Sequence, residues 1–180
     1  MDRYVAFLRG MNLGGRRIKN DDLRRHFEEM GFEEVATFRA SGNVIFATAK
    51  REAESKLAQR VEAELDERLG YDVPVFLRSA AEVAAVAAYE PFAAKAVAKS
   101  KGKLQVSFLK EKPTAAARKK ALMLLTDEDQ LAIEGRELYW LPNGGISESE
   151  LDLKAIDAAL GAGTMRTMGT VEQIAAKLRG

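Results

Sequence analysis

"EVATFRASGNVIFAT", residues 34–48, decides the fold that we expect for the first half of the chain. Apolar and β-branched residues fill both arms, and Ser41-Gly42-Asn43 separates them, which predicts two short strands joined by a tight turn. Working outward, the sequence predicts helices over 20–31 and 50–70, and beyond them strands over 3–8 and 72–78. The resulting order β-α-β-β-α-β is that of a ferredoxin-like fold.

Both predicted helices have clear sequence signals. In the first, Asn20 is a candidate N-cap, and Gly31 suits the position just past the C-terminus. The second is the clearest helix in the chain, because leucine or valine recurs every four residues and Gly70 follows it. The apolar stripes consist of Leu23, Phe27 and Met30 in the first helix and Leu57, Val61, Leu65 and Leu69 in the second.

The second half predicts a further α+β unit of order α-β-α-β-β-α-α. Its elements are expected at 79–89, 103–110, 114–125, 129–135, 136–142, 147–161 and 170–180. Capping boxes of Ser147 with Glu150 and of Thr170 with Gln173 predict the starts of the last two helices. We therefore expect an α+β protein with subdomains at 1–78 and 79–180, or one integrated domain that contains both.

Composition excludes several classes of protein. The 180 residues are 47% apolar and contain no cysteine, so a disulfide framework, a thiolate nucleophile and a cysteine-ligated metal are excluded. No apolar stretch is long enough for a membrane span, and the N-terminus does not resemble a signal peptide. These features favour a cytoplasmic protein that is not associated with a membrane. Neither a metal nor a cofactor is expected.

The net charge of +1 conceals two segments of opposite sign. Residues 95–120 contain nine Lys or Arg and one acid, whereas residues 127–157 contain nine Asp or Glu and two bases. Solvated faces that partly cancel are the simpler interpretation. An anionic partner, or pairing of the two segments across an interface, would also account for the pattern.

A glycine-rich stretch, "LRGMNLGGRR" at 8–17, follows the first strand and contains the spacing G-x-x-x-x-G. A phosphate-binding P-loop continues with Lys and then Ser or Thr, but here Arg16 and Arg17 follow, and guanidinium cannot ligate magnesium. A P-loop is therefore not expected. Two hypotheses remain, a simple turn or an anion site in which backbone amides and cations hold phosphate. The residues of that anion site would be Arg9, Asn12, Gly14, Gly15, Arg16, Arg17 and Lys19.

Two other features favour structural roles. We expect Ser41-Gly42-Asn43 at the sheet end opposite the glycine-rich loop, so that the two need not form one pocket. His26 is the only histidine and has no cysteine or second histidine for a metal site, so a structural or surface role is favoured.

Four segments in order, "YVAFLRGMNLGG", "LRRHFEEMGFEEVATFRASGNVIF", "GGISESEL" and "GTMRTMGTVEQIAAKL", resemble a bacterial family, domain of unknown function 1697. The resemblance covers nearly the whole chain and implies a two-subdomain α+β fold with a ferredoxin-like first part, but no known reaction. The family's Leu-Arg-Gly-Ile-Asn-Val-Gly-Gly corresponds to residues 8–15, and its Ser-Gly-Asn to residues 41–43. Near the C-terminus Arg166 is kept, whereas Thr167 and Met168 replace the Asn and Trp of the family.

The leading hypothesis is a protein that binds a phosphate-bearing ligand, nucleotide-like or nucleic acid, through residues 9–19. Arginines would neutralise phosphate, backbone amides would cradle it, Asn12 would fix its orientation, and Arg166 is a distant further candidate. The alternatives are a protein–protein interaction module and an enzyme acting on a small phosphorylated metabolite. The sequence contains no recognisable catalytic constellation, so catalytic residues stay unassigned, as does the oligomeric state.

Overall fold

A computed structural model describes residues 1–11, 15–39 and 42–180. The described chain is a mixed α+β protein, which confirms the predicted fold class. It divides into two compact units, Met1–Val83 and Ala84–Gly180, each containing one four-stranded antiparallel sheet. The subdomain boundary expected at residue 78 stays a prediction.

The first unit has the predicted order β-α-β-β-α-β. Its strands pair antiparallel in the order β2-β3-β1-β4, with β1 and β3 in the middle. A helix, α3 (Ala80–Ala88), follows the last strand and crosses the division between the units. The other elements are β1 (Asp2–Leu8), α1 (Asn20–Glu29), β2 (Glu33–Thr37), β3 (Asn43–Thr48), α2 (Glu54–Leu69) and β4 (Val75–Ser79).

Helices α1 and α2 cover one face of this sheet. The predicted stripes supply the contacts, because Leu23 and Phe27 of α1 and Leu57, Val61 and Leu65 of α2 are all buried in one core cluster. At its centre the ring of Phe46 lies 4.4 Å from that of Phe32 and 5.6 Å from that of Phe27, measured between centroids. This packing holds the two helices, and therefore the loops at their ends, in fixed positions over the sheet.

The second unit contains more elements than the sequence predicted. The strand β8 lies between the last two helices and pairs with β5, which extends the sheet to the order β6-β7-β5-β8. Helix α4 was likewise not expected, and a short 3-10 helix at Ile146–Glu148 stands at the beginning of the predicted helix 147–161. The elements are α4 (Ala94–Lys99), β5 (Gln105–Phe108), α5 (Ala115–Leu122), β6 (Gln130–Glu134), β7 (Glu137–Leu141), α6 (Leu153–Leu160), β8 (Thr164–Thr167) and α7 (Met168–Arg179).

Three predicted N-caps were wrong, although α1 begins at Asn20 as predicted. Asp152, not Ser147, caps α6 by accepting a hydrogen bond from the Ala155 amide at 3.0 Å. Thr167, not Thr170, caps α7, and its hydroxyl accepts from the Thr170 amide at 3.3 Å. Helix α1 has Lys19 at its N-cap with no side-chain cap, so Asn20 lies within the helix. Where several Ser, Thr, Asp or Asn residues lie close together, the backbone conformation selects which one caps.

The two units repeat one topology. Strands β5 to β8 with α5 and α6 reproduce the order β-α-β-β-α-β and the same strand neighbours as the first unit. The register also repeats, since Val5 lies opposite Ile45 and Arg78. In the second sheet Val106 lies opposite Tyr139 and Arg166. Aligned on this register, "YVAFLR" of the first central strand corresponds to "QVSFLK" of β5. The chain therefore contains two units with the same topology and register.

Candidate functional site

The C-terminal end of β1 lies between two other loops. The Leu8 amide donates to the Gly42 carbonyl at 2.8 Å, and the Arg9 amide donates to the Pro74 carbonyl at 3.1 Å. The loop that follows β1 therefore begins between the β2–β3 hairpin and the segment before β4. The sequence-based expectation that hairpin and glycine-rich loop lie at opposite ends was wrong. Because β1 and β3 are antiparallel, with Phe7 opposite Asn43, the end of β1 meets the start of β3.

Gly42 lies in close contact with the described part of the glycine-rich stretch. It has a φ of +79°, and a β-carbon there would lie 3.0 Å from Met11 Cγ, 3.1 Å from Leu8 Cβ and 3.3 Å from the Leu8 carbonyl. Met11 is itself buried in the core cluster. A larger residue at position 42 would separate the hairpin from the glycine-rich loop.

Two asparagines fix the hairpin by hydrogen bonding. The Asn43 side chain is fully buried and donates to the Phe38 carbonyl at 2.9 Å, while the Phe38 amide donates to the Asn43 carbonyl at 3.0 Å. The Asn20 side chain donates to the Arg39 carbonyl at 3.1 Å and so joins the start of α1 to the hairpin. Both side chains thus have structural partners at this end of the sheet.

Three of the predicted cations are exposed at this end. Arg16, Arg17 and Lys19 stand on the segment that leads into α1. Within the described ranges, no carboxylate oxygen lies within 4.0 Å of their charged groups. By contrast, Arg24 and Arg25 on α1 each contact two carboxylates, those of Asp21 and Glu28 and those of Asp22 and Glu29. The charge of the segment 16–19 is therefore not neutralised by side chains of the described chain.

Aromatic rings accompany two of the cations. The Arg16 guanidinium lies over the ring of Tyr71, with its Cζ atom 4.4 Å from the ring centroid. At the hairpin, Arg39 lies over Phe38 at 5.3 Å. Arg39, Phe38 and Tyr71 were not predicted as site residues from the sequence. Because Gly70 predicts the end of α2, the sequence already places Tyr71 in the loop that follows. That position could have identified Tyr71 as a candidate site residue. We call Arg16, Arg17, Lys19, Arg39, Phe38 and Tyr71 the β1-end surface.

The remaining predicted residues fall into three groups. Gly15 is exposed with a φ of +83°, and Arg9 is half-buried beside the strand end. Asn12 and Gly14 lie outside the described residues. Arg166 lies in β8 of the second unit, at the position that Arg78 occupies in the first.

Burial dominates the environment of Arg166. Only 8% of this residue is exposed, and desolvation lowers the pKa of its guanidinium to about 10. It donates to the Thr164 hydroxyl at 2.7 Å and to the Met165 carbonyl at 2.9 Å. Arg78 likewise donates to the carbonyl of the preceding Leu77 at 2.9 Å. The shared geometry makes this buried arginine a feature of both repeats.

Two further properties concern the described part of the chain. No group of three or more His, Asp or Glu side chains within it is arranged to hold a metal ion. None of its helices is both long and apolar enough to cross a membrane.

Comparisons with known proteins place the fold and the family. The chain is similar over its full length to the solved structure of conserved bacterial protein SP0830 from Streptococcus pneumoniae, at 19% identity, a TM-score of 0.74 and 99% coverage of that chain. A search of curated proteins gives no significant match. A family profile described as a protein of unknown function matches residues 1–139, which include both motif segments of the β1 end but not Arg166. The chain therefore belongs to the family DUF1697.

Proposed function

We propose that the protein binds a phosphate-bearing ligand, a nucleotide or nucleic acid, at the β1-end surface. One observation carries the proposal: Arg16, Arg17 and Lys19 are exposed within four residues and have no carboxylate partner in the described chain. Neighbouring like charges repel each other, and an anion that binds them removes the repulsion. All four arginines of α1 and α2 are ion-paired, so within the described chain the missing compensation is confined to the segment before α1.

The backbone at this end suits the same ligand. The positive φ of Gly15 allows amide groups to turn toward an anion. The segment ends at the N-terminus of α1, where the helix dipole favours negative charge. In this proposal the arginines hold phosphate oxygens, Lys19 adds charge, and Asn12 orients the ligand. Cytoplasmic location stays a prediction that accompanies it.

Calorimetry with a matched pair of double variants tests the proposal. ATP, inorganic triphosphate and a short single-stranded RNA are titrated into the wild type, Arg16→Ala/Arg17→Ala and Arg24→Ala/Arg25→Ala at several salt concentrations. Both variants lose two positive charges, but the second pair is already neutralised by carboxylates of α1. We expect salt-sensitive binding that only the first variant loses. Equal loss in both variants, or no binding by the folded wild type, contradicts the proposal.

A second candidate function, self-association, is supported by the surface of α5. An open groove of about 660 Å³ is lined there by Lys112, Arg118, Lys119, Leu122 and Met123, together with Pro113 and Ala115. Met123 is 77% exposed. The same unit exposes an acidic segment with apolar ends, Ile146 to Leu153. A second copy of this chain fits the groove by charge and apolar character, because each copy would offer both surfaces.

Sedimentation velocity measures this association directly. We expect a dimer at low salt that dissociates at high salt and in Lys119→Glu. The double variant Lys119→Glu/Glu150→Lys restores opposite charges and should restore the dimer. A monomer in every condition excludes this function.

A further inference from the structure

Arg16 contacts an aromatic ring and is also exposed to solvent. Its guanidinium lies over Tyr71, and Tyr71 packs against the core cluster of the first unit. The aromatic ring therefore supports one face of the guanidinium, while the residue itself is exposed to solvent. Guanidinium planes and aromatic rings are the groups on which proteins stack unpaired bases.

A comparison within the same unit separates this arrangement from a structural one. Arg60 also lies over an aromatic ring, that of Phe32, at 5.0 Å. Arg60, however, donates two hydrogen bonds to Glu52, at 2.7 and 3.2 Å. Its charge is satisfied by the protein, whereas no described carboxylate lies within ion-pair distance of Arg16. The difference indicates that Arg16 is arranged for a group outside the described chain.

A second arginine–aromatic pair lies at the hairpin. Arg39 stands over Phe38, and the Asn20 side chain links the Arg39 carbonyl to the start of α1, directly after Lys19. The β1-end surface therefore contains two arginine–aromatic pairs in addition to Arg17 and Lys19. Surfaces that bind single strands combine cations for the backbone with planar groups for the bases.

We infer that the β1-end surface recognises a nucleotide unit with an accessible base, which stacks on the open side of Arg16 while Arg17 and Lys19 hold its phosphate. The inference rests on the proposed function and adds the base to it. A nucleotide unit of this kind occurs in a free nucleotide and in a single strand. In a duplex the base is paired and stacked, so a duplex is not a ligand of this type.

Binding to paired probes tests the base separately from the phosphate. We compare ATP with inorganic triphosphate, and a ten-nucleotide RNA with an abasic strand of the same phosphate number. A stacked base is expected to tighten binding by roughly fivefold to a hundredfold over the base-free probe. A preference confined to ATP identifies a free nucleotide as the ligand, and a further gain for the RNA identifies a single strand.

The variants Arg16→Lys and Arg60→Lys complete the design. Lysine keeps the charge but has no plane, so Arg16→Lys should keep affinity for the base-free probes within about twofold and lose the preference for a base. Arg60→Lys should keep both. Equal affinity of the wild type for base-bearing and base-free probes overturns the inference but leaves phosphate binding intact. A base preference that persists in Arg16→Lys also overturns it, and failure of every probe to bind overturns the proposed function itself.

Discussion

Replacing Gly42 by alanine tests whether the hairpin and the glycine-rich loop meet as the structure describes. The residue has a φ of +79°, and a left-handed conformation costs a non-glycine residue about 1–2 kcal/mol. The new methyl group would also lie 3.0–3.3 Å from three atoms of Leu8 and Met11. One of these is the carbonyl oxygen of Leu8, which cannot move away without disturbing β1. Overpacking of this kind costs a further ~1–3 kcal/mol.

Gly70→Ala is the matched control. Gly70 also has a φ of +79°, but a β-carbon there meets no atom within 4 Å. Gly70→Ala therefore has only the cost of the left-handed backbone conformation. The difference in the free energy of unfolding between the two variants gives the cost of the contact of residue 42 with Leu8 and Met11. We expect urea unfolding, followed by circular dichroism, to show Gly42→Ala less stable than Gly70→Ala by at least about 1 kcal/mol. In thermal unfolding this corresponds to roughly 2–4 °C per kcal/mol for a chain of this size.

Equal stability of the two alanine variants would refute the reasoning. Gly42 would then have room for a side chain, and the contact with Leu8 and Met11 would be absent. The two motif segments would then not form one surface.

Three further predictions concern single side chains. Burial and the charge of Arg68 lower the pKa of His26 below 6.5, so protonation favours the unfolded state. The wild type should therefore lose stability as pH falls below about 6.5. Urea titrations at pH 7 and 5.5 measure the loss, and His26→Gln should lack the part that comes from protonation of the imidazole. The charges of Glu29, Asp22 and Arg25 also act on His26 and stay in place in the variant. Asp129 is 4% exposed and accepts hydrogen bonds from Trp140 (3.0 Å), Thr126 (2.6 Å) and Ser149 (2.9 Å). Asp129→Ala should cost about 2–4 kcal/mol and change Trp140 fluorescence, and a wild-type spectrum would contradict this. A β-carbon at Gly163 would lie 2.5 Å from Ser107 Oγ and 2.7 Å from the Phe108 carbonyl, whereas a β-carbon at Gly169 would have no atom within 4 Å. Gly163→Ala should therefore unfold at a much lower urea concentration than the control Gly169→Ala.

Helices and strands that have a clear local sequence pattern were predicted from the sequence. The four-residue spacing of Leu57, Val61 and Leu65, closed by Gly70, is a property of the segment itself, and α2 formed there, beginning at Glu54. The strand β8 has only four residues, Thr164 to Thr167, and lacks such a pattern. It exists because its backbone pairs with β5, some sixty residues earlier in the chain. No window of local sequence contains that pairing.

The candidate site divides in the same way. The sequence showed cations in the segment 16–19 and motif residues at 41–43, because composition and spacing are local. It misplaced the two segments relative to each other, since the antiparallel pairing of β1 with β3 is a property of the sheet. It also could not show that Arg24 and Arg25 are ion-paired, whereas Arg16 and Arg17 have no carboxylate partner among the described residues.

The amino-acid sequence by itself therefore determined the α+β class, the order of the first six elements and the identity of the cationic loop. Only the tertiary structure decided that the two units repeat one topology, that Gly42 closes on Leu8, and that Arg16 lies over Tyr71. The physical reason is the range of the interactions. Helix periodicity and turns depend on neighbouring residues, whereas strand order, close backbone approach and stacking join residues that only the folded core brings together.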